Sequence, residues 1–183
     1  LGAARPVEAS RPAERGRRGV DMLLGMVALA RGDLVAAHDH LVVALRSRLS
    51  HGFSGRACDT ISAIAVRCAL GGDHVTAARL FGAAQATRSA LRAAPGVYGE
   101  FWAAQQARVR EEIGDAAFDE AYGTGALQSL PEAAATALAV EHPDLAAGSP
   151  RFLARPWRGT EAPAPTQPVR STPSTPDTFA DRR

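Results

Sequence analysis

The pair Gly-Asp recurs along the chain at nearly even intervals. Gly32-Asp33 lies in ARGDLVAAHDHL, Gly72-Asp73 in LGGDHVTAARLFGAA and Gly114-Asp115 in EIGDAAFDEAYG, 40 and then 42 residues apart. Each pair follows one apolar-periodic segment and precedes another. Glycine is favoured just past a helix end because it takes the left-handed conformation with no Cβ to clash. Aspartate is favoured as an N-cap, its carboxylate accepting from the open N–H groups of the next helix. Gly-Asp therefore stops one helix and starts another in the shortest space, which is the corner of a helical hairpin.

The flanking residues carry the matching pattern. Leu24, Gly25, Ala28 and Leu29 share a helical face before the first corner, and Leu34, Ala37, Leu41, Ala44 and Leu45 share one after it. Ile61, Ile64, Ala65 and Cys68 follow the i, i+3, i+4, i+7 rule before the second corner, and Ala77, Leu80, Phe81 and Ala84 follow it afterwards. Small residues align between the units: Gly25 with Ala65, Ala37 with Ala77, Ala44 with Ala84, while Leu41 aligns with Phe81. The third unit is looser. Tyr98, Trp102, Val109 and Ile113 face inward before its corner, and AAFDEAY after it is short and ends at a Gly123-Thr124-Gly125 turn. A last helix starts at Ser129, where Ser129-Leu130-Pro131-Glu132 fits a capping box and Leu130, Ala134, Ala137 and Leu138 face inward. Hairpins stacked every 40 residues or so predict an all-α helical-hairpin solenoid of about three hairpins, closed by a single helix.

Composition sets the boundaries. At 183 residues there is room for one ordinary domain. Residues 1–18 are rich in Arg, Pro and Ala and read as a flexible arm; 19–142 carry the helical patterns. Eight of the twelve prolines fall in residues 143–183, a stretch that reads as a disordered Pro-rich tail. All 21 basic residues are Arg, which with abundant Gly and Ala points to codon bias. The net charge of +2 is too small to imply a nucleic-acid partner. No apolar run reaches the ~18 residues of a membrane span, and MLLGMVALA leads into an amphipathic helix rather than a cleavage site. Cys58 and Cys68, if on one helix, are ~15 Å apart, too far for a disulfide. A reducing cytoplasm is the expected location.

No chemistry-bearing motif survives inspection. His38 and His40 point to opposite sides of a helix, so they cannot share a metal. Glu111-Glu112 and Asp119-Glu120 are adjacent on helices and read as solvated faces. GTGA at 123–126 has no strand before it, so it is not a dinucleotide loop, and no Ser sits in a strand–turn–helix elbow. The arginines at 11, 15, 17 and 18 are interleaved with Glu8 and Glu14, and SLPEAAATALAVEH offers no Arg to a phosphate groove. No catalytic residue, cofactor or metal site is expected.

The pattern of small residues before Gly-Asp, then Ala, bulky, Ala after it, resembles a tetratricopeptide-type repeat. More narrowly, AARLFGAAQATRSALRAAP with VREEIGDAAFDEAYGTGALQSLPEAAATAL is similar to the C-terminal repeat region of large actinobacterial regulators. These join a signal-transducing ATPase to helical repeats and often end in a LuxR-type DNA-binding domain; others are joined to a cyclase. The resemblance covers residues 20–142 and is most specific over 77–138. The chain has no GxxxxGK[ST] loop and no Lys, no LuxR-type motif follows residue 142, and it begins with Leu rather than Met. The resemblance thus implies a repeat module, a split piece or relic of such a regulator, without ATP or DNA binding of its own. The expected function is non-catalytic protein binding through a concave face lined by the first helix of each hairpin, with Arg31, Arg67, Gln105 and Arg108 as contacts. The alternative is a sensor that takes a small effector in the groove and signals to an ATPase; an enzyme of unknown class is the third, and the missing motifs count against it. Nothing polar caps VDMLLGMVALA, so Met22, Leu23 and Met26 are expected to stay partly exposed and drive self-association or docking on an upstream repeat.

Overall fold

The helix ends set the architecture. In the computed structural model, which describes residues 12–94 and 96–140 with side chains from residue 19, the left-handed conformation recurs at Gly32, Gly52, Gly72 and Arg92, twenty residues apart. At each, the same two hydrogen bonds close the preceding helix: Gly72 N–H donates to Ala69 O and Asp73 N–H to Cys68 O, and the pattern repeats at 32–33, 52–53 and 92–93. This is the Schellman ending, which satisfies carbonyls that the helix leaves open. It yields α1 (Pro12–Arg31), α2 (Leu34–Ser50), α3 (Ser54–Leu70) and α4 (His74–Ala90), the last three each of 17 residues. Two corners work as Gly-Asp predicts, with Asp33 accepting from Ala36 N–H at 2.9 Å and Asp73 from Thr76 N–H at 3.0 Å.

Beyond α4 the regularity changes. A connection through Tyr98 leads to α5 (Gly99–Ile113), followed by α6 (Asp115–Ala126) and α7 (Leu130–Leu138). The described residues are thus all-α, with no strand among them. At the third Gly-Asp, Gly114 is itself the N-cap and Asp115 is already helical. The Asp115 carboxylate pairs with Arg110 at 3.0 Å instead of capping, and Asp119 takes the same guanidinium at 2.7 Å. That guanidinium also lies 4.3 Å over the Phe118 ring, tying α5 to α6. α7 opens as expected, with the Glu132 carboxylate accepting from Ser129 N–H at 2.7 Å and from its hydroxyl at 2.6 Å, bonds that hold the Glu132 carboxyl below its ordinary pKa.

Packing follows the small residues. Ala37, Leu41, Ala44 and Leu45 on α2, Ile61, Ile64, Ala65 and Cys68 on α3, and Ala77, Leu80, Phe81 and Ala84 on α4 are all buried, as the periodicity requires. Leu24 is not; it turns outward while Gly25, Ala28 and Leu29 go in. α1 packs on α2 and α3 on α4 as hairpins, and α2 packs on α3. The third pair departs from this scheme, because α6 packs chiefly on α4 and only lightly on α5. The reason is a double glycine contact. A Cβ on Gly82 would lie 2.0 Å from the Tyr122 carbonyl oxygen, and one on Gly125 would lie 1.8 Å from the Arg79 carbonyl oxygen. The two backbones touch.

Two sequence boundaries shift accordingly. Gly123-Thr124-Gly125 is not a turn but part of α6, with Gly125 kept small by the α4 crossing. α1 starts at Pro12 rather than at residue 19; proline suits a first helical position, where its missing N–H costs nothing. Residues 1–11 and the Pro-rich stretch 143–183 lie outside the described residues. Cys58 and Cys68 share α3, buried and unpaired, and burial pushes the Cys68 thiol up to about 12.

The glycine crossing gives the first prediction. Gly125→Ala must force α4 and α6 apart and should cost about 3 kcal/mol in urea unfolding, the upper part of the overpacking range. Gly123→Ala on the same helix meets nothing within 4 Å and should be neutral to mildly stabilising.

Candidate functional site

The Schellman register also places two arginines. Arg48 and Arg88 occupy the same position near the ends of α2 and α4, their carbonyls accepting from Phe53 N–H and Ala93 N–H. Both side chains fold back rather than reach into water, and both residues are only 7% exposed. They converge on the first turns of α3. Arg48 Nη1 donates to the Arg56 carbonyl at 2.7 Å and to the Thr60 hydroxyl. Arg88 Nη2 donates to Asp59 at 3.0 Å and Nη1 to Gln85 at 3.2 Å.

These side chains line a groove of about 520 Å³. Its polar lining is Arg48, Arg56, Asp59, Arg88 and the Tyr98 side chain; Met22 and Leu23 of α1 and Val97 of the α4–α5 connection supply apolar surface. Among the described residues the lining thus holds three arginines and one carboxylate. Asp59 is engaged by Arg88, and no carboxylate among the described residues lies within ion-pair distance of Arg48, whose hydrogen bonds go to neutral oxygens. Burial holds the Arg48 guanidinium below its ordinary pKa, and Asp59 pulls the other way. Chemically, the groove is a cationic recess with an apolar wall.

A second surface adjoins it. On α1, Val20, Leu23, Leu24 and Val27 are 42–55% exposed and fall on one helical stripe. The expectation for Met22, Leu23 and Met26 is corrected at Met22, which is 2% exposed; Met26 is partly buried against the core and Leu23 is outward. Met22 shares its stripe with Gly25 and Leu29, which α1 turns inward, so the open stripe is displaced around the helix.

The four arginine and glutamine positions read from sequence do not form one surface. Arg67 and Gln105 are buried, Arg31 is exposed in the last turn of α1, and Arg108 is half-buried on α5. The protein itself covers two of them. His40 lies 3.5 Å from Asp21 across the α1–α2 pair, and His51 folds onto Ser47 O of its own helix. Among the described residues no three His, Cys, Asp or Glu side chains come together, and no helix is long and apolar enough to cross a membrane. Sequence reading missed Arg48 and Arg88. Their 40-residue spacing was available, but arginine in a last turn ordinarily means a solvated charge at a helix C-terminus.

No family model, curated protein or solved structure matches the chain.

The Arg88–Asp59 pair is testable by itself. Asp59→Asn strands a buried guanidinium and should lower stability by about 2 kcal/mol in urea, below the fully buried range because Asp59 retains some solvent. Asp119→Asn, at the exposed Arg110, should change little.

Proposed function

We propose that this chain is a non-catalytic interaction module, a tetratricopeptide-like helical-hairpin solenoid that docks on another helical-repeat segment within a regulatory assembly. The observation that carries the reading is the open stripe on α1. A 40-residue shift takes Val20, Leu23, Leu24 and Val27 onto Thr60, Ala63, Ile64 and Arg67 of α3, all of which are buried. Thr60 heads that stripe and takes a hydrogen bond from Arg48 of α2. By the same register, α1 offers to an incoming helix the position at which Thr60 of α3 meets α2. Four apolar side chains stand there where α3 carries two polar ones, and leaving them in water forgoes roughly 25 cal/mol for each Å².

The partner is thus a helix that ends like α2, with small and bulky residues on one face. The resemblance of residues 77–138 to repeat regions of actinobacterial ATPase and LuxR-type regulators makes a cytoplasmic signalling or transcriptional assembly the proposed setting. The docking surface differs from the concave face expected from sequence, since Arg67 and Gln105 are covered. The second reading is the effector sensor, which the cationic groove favours.

A photo-cross-linking residue at Leu24, used in the source cell, should join α1 to a helical segment of a second protein identified by mass spectrometry. The control is Val43, which is 51% exposed on α2. Products at Leu24 no different from those at Val43 would overturn the docking face. A product joining two copies of this chain would replace the separate partner by self-association.

A further inference from the structure

We infer that the groove between α1, α2, α3 and α4 binds a small organic oxyanion, a carboxylate or phosphate ester carried on a short apolar body. This goes beyond the docking reading and does not depend on it.

Three observations converge. The groove, about 520 Å³, has the size of a small-molecule site. Among the described residues its lining is unbalanced in charge, with Arg48, Arg56 and Arg88 against one carboxylate, Asp59, that Arg88 already holds. Arginine's planar fork matches carboxylate and phosphate geometry, and such bonds are shorter and stronger than neutral ones. Among the described residues Arg48 is the group most in want of an anion, because it is 7% exposed and its hydrogen bonds there go only to neutral oxygens. The wall is apolar: Leu23, Ala93, Ala94 and Val97 would be left wet by a bare inorganic ion.

The lining also contains its own competitor. Asp59 occupies Arg88 as an incoming oxyanion would, so the groove is held together by an internal carboxylate. An oxyanion entering beside Arg48 competes with Asp59 for Arg88 or shares it. Removing the Asp59 charge therefore has a sign that a purely structural ion pair does not give: ligand affinity rises while unliganded stability falls.

The test titrates the purified full chain with octanoate and hexyl phosphate by calorimetry, with octanol and inorganic phosphate as controls. Saturable one-to-one binding of an organic anion is expected, and the tighter of the two probes identifies the head group. Arg56→Gln, a change at an exposed side chain, should weaken binding about tenfold, in line with the loss of one charge-assisted contact. Asp59→Asn, checked for retained helicity, should tighten it and regain melting temperature on adding the anion. The proposal is overturned by absence of saturable binding up to about 10 mM of either anion. Octanol binding equal to octanoate would overturn the charge recognition, and unchanged affinity in both variants would overturn the site. Inorganic phosphate binding as tightly as hexyl phosphate would overturn the apolar wall's role.

Discussion

The backbones of α4 and α6 meet at Gly82 and Gly125, and much of the C-terminal half depends on that contact. α6 has little purchase on α5, and α7 packs on α3 and α4, so α4 is the post to which the last three helices are fixed. The composition makes this necessary. With aromatics at only 5%, the chain cannot fill wide gaps with rings, so its helices must come close enough for alanine and glycine to touch. Several of its rings cluster: Trp102 sits 5.0 Å from Phe101 and 5.6 Å from Tyr98, and Phe118 stacks 5.5 Å from Tyr122.

The corners at Gly32-Asp33 and Gly72-Asp73 were legible because glycine and aspartate each have one strong local reason to stand there. The buried faces of α2, α3 and α4 were legible for a similarly local reason, a 3.6-residue period. The twenty-residue register was not. At Gly52 the next residue is Phe53, which caps nothing through its side chain, and at position 92 the left-handed residue is an arginine. At Gly52 half of the corner signal is present and at Arg92 local preference is contrary, so the tertiary arrangement decides. The third corner misled in the other direction: Asp115 looks like a cap, but Arg110 draws its carboxylate away.

The groove was illegible for a related reason. Arg48, Asp59 and Arg88 lie on three helices, and nothing in a single helix marks an arginine as folded inward. Once the corners repeat every twenty residues, side chains at matching places on α2 and α4 necessarily emerge on the same side of α3. The regularity that builds the fold thus also concentrates charge, and Asp59 offsets only part of it. The same regularity leaves α1 with a face for which the described chain has no helix. Groove and stripe meet at Leu23, so a ligand in one is within reach of a partner on the other.

The most direct measurement is the native mass of the species that carries this chain in unfractionated source extract, detected with an antibody to residues 60–140. Docking through α1 requires a species well above 19.1 kDa under native conditions, which shrinks when Leu24→Glu and Val27→Glu are introduced together. A free 19.1 kDa monomer, the same size with and without those substitutions, would contradict it.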